Sequence, residues 1–186
     1  YADAGYYDIR ISGGFSFGNM VAINNKLAFR NVKQWGNIPW DLAYAFFNCE
    51  NLIVTAEDAP KSIGNLHYFF YNTAITTVPN IENWDISGVG SMFGMFFHTS
   101  FNQDISMWNV SSVTNMGWLF LGTPFNQPLN NWDVSNVTNM SAMFYSTPFN
   151  QPLNNWNVSK VTDMSYMFHN SSFNQDISMW NISNVT

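Results

Sequence analysis

Charge is scarce in this chain. Of 186 residues only 6 are Lys or Arg and 12 are Asp or Glu, 10% of the whole, for a net charge of −6. So few cations leave no basic stripe for phosphates, which argues against nucleic acid or an anionic membrane surface as a partner. A single cysteine, Cys49, excludes an internal disulfide, and the expectation is a buried structural thiol. Apolar runs stop after a few residues, as at 52–54, far short of the roughly 20 that a membrane-spanning helix needs. There is no Gly-rich phosphate loop, paired His motif or CxxC, and His67, His98 and His169 fall at different places in the pattern described below. A protein that is not an enzyme and carries no cofactor or metal is expected. The chain starts at Tyr1 without Met and stops at Thr186 inside a repeat, which reads as a piece of a longer or processed protein.

Aromatic residues, at 18%, are abundant instead. That is too much for disorder, and the length suffices for one sizeable core burying about 70% of the unfolded surface. The aromatics are also regular. Trp84, Trp108, Trp132, Trp156 and Trp180 are each 24 residues from the next, and Phe101, Phe125, Phe149 and Phe173 keep the same period, as do Met92, Met116, Met140 and Met164. A fixed period in this range signals stacked structural units.

Within a unit two rhythms alternate. Leu153, Trp156 and Val158 give the spacing of a short strand with one buried face. Val161, Met164, Met167 and Phe168 recur every three to four residues, which predicts one or two turns of α or 3₁₀ helix, with Ser159 placed to cap it. The tryptophans should point inward as a ladder, and the strands should stack in parallel. Upstream the period loosens: Phe70 to Trp84 is two residues longer than Phe144 to Trp156. The predicted organisation is an N-terminal cap at 1–30, with a strand at 8–12, then degenerate repeats at 31–82 and regular repeats at 83–186. The expected class is an α/β repeat solenoid.

The units FNQPLNNWDVSNVTNMSAMF and FNQDISMWNVSSVTNM resemble those of the BspA-type surface leucine-rich repeat family, and residues 34–60 resemble its lead-in segment. The motif YADAGYYDIRISGGF at 1–15 is similar to the last strands of a PKD-like domain. The resemblance implies a leucine-rich-repeat-like right-handed coil with a parallel strand ladder, used for adhesion or recognition outside the cell or on a virion. Members of that family occur in bacteria, protists and large viruses, and the family supplies no catalytic motif.

Alternation across the predicted strands places Asn83, Met107, Asn131, Asn155 and Met179 outward, followed by Asp85, Asn109, Asp133, Asn157 and Asn181. These ten are the candidate contact residues for a protein or glycan ligand on a host or neighbouring cell, or for other copies of the same assembly. The plainer reading is a solvated polar face, with the repeats serving as a spacer, stalk or assembly segment. Only Asp85 and Asp133 are charged in that column, two repeats apart, which disfavours calcium. Asn102, Asn126, Asn150 and Asn174 should bond inside the turns, and Thr114, Thr138, Thr162 and Thr186 should lie in the helical turn. Of seven Asn-x-Ser/Thr sequons, those at Asn136, Asn139 and Asn170 fall on the predicted convex or turn side and are candidates for glycosylation.

Overall fold

The computed structural model describes residues 15–16, 30–36, 39–41 and 43–186. Five short strands open it: β1 (Phe15–Ser16), β2 (Asn31–Val32), β3 (Pro39–Asp41), β4 (Ile53–Val54) and β5 (Lys61–Ile63). They pair in parallel as β1-β3-β5 and β2-β4. Phe15 sits opposite Trp40, Val32 opposite Val54, and Trp40 opposite Ile63. Each pairing joins residues about one repeat apart, so the chain stacks on itself from the start. One 3₁₀ turn follows at Ile81–Asn83. Beyond it the described residues form turns and isolated parallel bridges, which link Ser91 to Asn115, Asn115 to Asn139 and Asn139 to Asp163. The cap and PKD-like remnant expected at 1–30 lie outside the described residues, apart from Phe15, Ser16 and Arg30.

The expected α/β class does not form. No α-helix is present among the described residues, and the Trp-x-Val segments are not strands. The leucine-rich-repeat-like solenoid of a strand ladder and short helices is corrected to layers built from consecutive turns. The hydrogen bonds show why. Starting at Met92, every second N–H leaves its own layer: Met92 donates to the Asn115 carbonyl at 2.9 Å, Gly94 to Gly117 at 2.9 Å, Phe96 to Leu119 at 3.1 Å and His98 to Leu121 at 2.9 Å. The N–H groups between them turn back three residues, Met95 to Met92 at 3.1 Å and Phe97 to Gly94 at 3.2 Å. The next layer repeats the scheme, with Met116 bonded to Asn139, Trp118 to Ser141 and Phe120 to Met143.

Two residues per layer are left-handed: Gly94 and His98, Trp118 and Gly122, Ala142 and Ser146, Tyr166 and Asn170, with φ between 47° and 70°. An L-residue there cannot continue an α-helix. The three-to-four spacing of apolar residues is therefore the period of serial turns. Ser159, expected as a helix cap, instead donates its own N–H to Asn157 Oδ1 at 3.2 Å.

A second set of bonds crosses each junction in the opposite sense. Thr138 donates both its N–H (2.8 Å) and its hydroxyl (3.1 Å) to the Thr114 carbonyl, and Thr162 does the same to Thr138. Asn126 and Asn150 donate N–H to the Oδ1 of Asn102 and Asn126, both at 2.9 Å. These Thr and Asn columns bond between layers, not inside helical turns.

The core lies between the two halves of each layer. Trp84, Trp108, Trp132, Trp156 and Trp180 are buried, as their period predicts. Phe101, Phe125, Phe149 and Phe173 stack at 6.2, 6.3 and 6.1 Å between centroids. Phe96, Phe120, Phe144 and Phe168 make a second column at 5.9, 5.8 and 5.7 Å. Each indole N–H also closes a turn of the preceding layer: Trp108 donates to the Ile81 carbonyl at 2.9 Å, Trp132 to Ile105 at 3.1 Å and Trp156 to Leu129 at 2.9 Å. Trp84 has no such partner. The carbonyl in register with it, that of Glu57, takes the Asn80 side-chain amide at 2.8 Å, where the longer upstream unit shifts the chain.

Three outcomes follow for stability. Trp132→Ala should cost about 3–5 kcal/mol in denaturant unfolding, because it empties the core of one layer. Trp132→Phe should cost about 1 kcal/mol beyond its packing loss, since it removes the indole bond to the Ile105 carbonyl, which still accepts the Trp108 N–H. Ala142→Gly should raise stability by about 1 kcal/mol by relieving the left-handed alanine; a destabilised glycine variant would contradict the turn geometry.

Candidate functional site

Each Trp is flanked by two turns, and the candidate residues sit on them. On one side Trp108 N–H bonds back to Ile105 and Trp132 N–H to Leu129, at 3.1 and 3.0 Å. Met107 and Asn131 are then the outer corners of those turns. On the other side Val113 bonds back to Val110 and Val137 to Val134, both at 2.9 Å. The buried valines anchor this second turn while its corner faces solvent. A turn corner, not strand alternation, is what sends these side chains outward.

All ten predicted contact residues are exposed: Asn83, Asp85, Met107, Asn109, Asn131, Asp133, Asn155, Asn157, Met179 and Asn181. Met107 and Met179 are 81% and 83% exposed, the most open of the large apolar side chains among the described residues. The geometry divides the ten by role. Asp85 Oδ1 accepts the N–H and hydroxyl of Ser87 at 3.1 and 2.7 Å, and Asn109 Oδ1 accepts both from Ser111 at 3.2 and 2.7 Å. Asp133, Asn157 and Asn181 accept the N–H of Ser135, Ser159 and Ser183 at 3.1, 3.2 and 3.1 Å. This is an Asx turn repeated in five layers. Its oxygens are committed to the backbone, so the column is in part structural. The sequence signal for this turn is the Asx-x-Ser triplet itself.

Two hollows adjoin the head of the row. One, of about 480 Å³, is lined by Gly36, Asp58, Ala59, Pro60, Lys61, Asn83 and Asp85. The other, of about 350 Å³, is lined by Glu82, Gln103, Asp104 and Met107. Asp58 is held by the N–H groups of Trp35 and Gly36 at 2.9 and 2.8 Å. Gln103 clamps Val78 by both its side-chain oxygen and nitrogen. Among the described residues no three His, Cys, Asp or Glu gather where they could hold a metal. Cys49 is buried. His67 is half-buried beside Ser91, 3.3 Å from its hydroxyl, and burial lowers its pKa.

The three sequon asparagines differ in setting. Asn136 is exposed, with its amide donating to the Ser111 carbonyl at 2.9 Å and its oxygen accepting Lys160 at 2.7 Å. Asn170 is exposed and donates to the Ser146 hydroxyl at 3.0 Å. Asn139 is half-buried within the bridge ladder, its oxygen capping Ser141 at 2.8 Å.

The repeats match the family described as "Mycoplasma protein of unknown function, DUF285", over residues 64–171 and again over 123–186. The chain belongs to this family. No curated protein and no solved structure matches it. The DUF285 match covers the regular layers, including the Asx-turn row from Asp85 to Asn181, and its description assigns that row no activity. Among the described residues no helix is long and apolar enough to cross a membrane.

The carboxylates of the row carry a pH signature. Asp85 and Asp133 have pKa values lowered first by the Ser87 and Ser135 hydroxyls and then by the backbone N–H groups of the same serines; the Lys160 charge adds to the lowering at Asp133. Asp176 is lowered by the Ser178 N–H and hydroxyl. A depressed folded-state value means a contribution that is present above the ordinary carboxylate range and lost as pH falls through the lower folded value. Thermal melts should therefore drop as pH falls below about 4. Asp85→Asn with Asp133→Asn should flatten part of that drop and leave the neutral-pH midpoint nearly unchanged, because Asn already caps the equivalent turn at Asn109 and Asn157. An equally steep acid drop in the double variant would refute the assignment.

Proposed function

We propose that this chain is a non-enzymatic recognition module of an extracellular or surface-exposed protein, on a cell or a virion. It presents the corners of its turns to a protein or glycan partner. The observation that carries this reading is the row of ten exposed residues, held at fixed register by the buried tryptophans and by bonds between layers. Repeating layers offer extended binding surfaces of this kind. Met107 and Met179 are the apolar anchors, because an unbranched thioether adapts to a partner's shape. The likeness of the units to BspA-type surface repeats supports the same placement. The scarcity of Lys and Arg disfavours nucleic acid.

The choice of variants follows from the Asx turns. Asn109, Asp133 and Asn157 hold backbone, so their loss would confuse binding with folding. Met107, Asn131 and Met179 are exposed corners for which no such cap is needed. Binding of the 186-residue chain to immobilised extracellular-matrix proteins and glycans should be saturable, and Met107→Ser, Asn131→Ser and Met179→Ser together should weaken it at least tenfold. EDTA should leave it unchanged, as the two acids of the column are two layers apart. A folded triple variant that binds as well as the parent, or a stable monomer that binds nothing, would favour the second reading. That reading is a spacer, stalk or assembly segment, and the continuous bonding between layers supports it as a stiff element.

A further inference from the structure

The hollow of about 350 Å³ lies where the period breaks, between Glu82 of one layer and Gln103, Asp104 and Met107 of the next. Both ends of the Gln103 amide are held by Val78. The polar groups that remain are carboxylates. Glu82 Oε1 accepts the Asn83 amide at 3.2 Å, and Asp104 Oδ1 accepts the Ser106 N–H at 2.9 Å. Their second oxygens have no partner among the described residues. Met107 stands beside them, 81% exposed. The regular layers lack this combination: Pro128 and Asn131, then Pro152 and Asn155, replace Asp104 and Met107. Asp176 and Met179 restore the pair, but there Asn154 stands where Glu82 does.

The hollow of about 480 Å³ begins one residue further on, at Asn83, and includes Asp58, Lys61 and Asp85. Behind it lies Trp84, 3% exposed, whose indole N–H has no acceptor. In the regular layers this N–H reaches the carbonyl 27 residues upstream. The same direction from Trp84 leads to Glu57, next to the Asp58 wall of the hollow. A buried donor without a partner is costly, so an incoming carbonyl would be favoured there.

Charge complementarity selects the occupant. An anion would be repelled by Glu82 and Asp104, and a neutral ligand would cover their open oxygens without pairing them. A bare divalent ion needs more ligands, and among the described residues no three His, Cys, Asp or Glu gather to hold one. A cation on an apolar stem fits both the acids and the thioether. We propose that the two hollows dock a Lys- or Arg-bearing segment of a protein partner. Its methylene stem lies on Met107, its charged head sits between Glu82 and Asp104, and a backbone carbonyl faces the Trp84 indole. This rests on the recognition reading above and names the chemistry of the partner.

Fluorescence anisotropy of the 186-residue chain with a labelled peptide of alternating Lys and Ala, blocked at both ends, tests it. Peptides alternating Gln with Ala and Glu with Ala are the controls. Saturable binding of the Lys peptide alone is expected, weaker at high salt. Glu82→Gln with Asp104→Asn should weaken it about tenfold. Glu50→Gln with Asp163→Asn removes the same charge elsewhere and should leave it nearly unchanged. Thermal melts verify that both double variants fold. The indole N–H resonance of Trp84, assigned by its loss in Trp84→Phe, should move as the Lys peptide is added. Equal weakening by the two double variants, a Gln peptide that binds as well, or a fixed Trp84 resonance would each overturn the proposal. No binding of the Lys peptide, with matrix binding still weakened by the Met107, Asn131 and Met179 variant, would overturn this site and leave the recognition reading standing. If neither peptide nor matrix binds, both fall.

Discussion

Every layer depends on one arrangement: successive backbone N–H groups point alternately out of the layer and back into it. The outward half bonds to the next layer, as Met92, Gly94, Phe96 and His98 do, and the inward half closes turns, as Met95 and Phe97 do. This satisfies the backbone in a fold with almost no regular secondary structure. It also sets the register. Once Met92 is bonded to Asn115, the Phe rings at 96 and 120 must stack and Trp108 must meet the Ile81 carbonyl. Core packing and turn closure are consequences of the same alternation, so no layer is stable by itself.

Much of this was legible in the sequence, because a 24-residue period forces equal positions into equal environments. The burial of Trp108, Phe101 and Met116 follows from recurrence alone. The outward placement of Met107 and Asn109 was also readable, though for a different reason than strand alternation. The local conformation was not readable from spacing. Turns that repeat every four residues and helices that repeat every 3.6 put apolar side chains at nearly the same intervals. What separates them is backbone handedness at positions 94, 118 and 142. Of these only Gly94 is glycine, and Trp118 and Ala142 give no hint of φ above zero.

The candidate surfaces differ in what the fold asks of them. Along the Asx row, one oxygen of each Asp or Asn is spent on holding Ser, so the position is constrained even where nothing binds. Met107 and Met179 carry no such duty, and their exposure has no structural return. That contrast makes the methionine corners stronger markers of recognition than the polar column beside them. The hollow beside Asn83 and Asp85 lies at the irregular junction, near the layer where Asn80 intercepts the Glu57 carbonyl and leaves the Trp84 indole without its usual acceptor.

The bonds across each junction run in both directions. Amides near Met92 donate forward to the following layer, whereas Thr138, Asn126 and Trp132 donate backward to the preceding one. In an α-helix all peptide dipoles align and leave partial charge at the termini. Here the forward and backward sets oppose one another within each layer. The backward donors, such as Thr138 and Asn139, offset only part of the forward set of Met116, Trp118, Phe120 and Gly122, so a column of this design lengthens by whole units with a weaker axial dipole per residue than an α-helix.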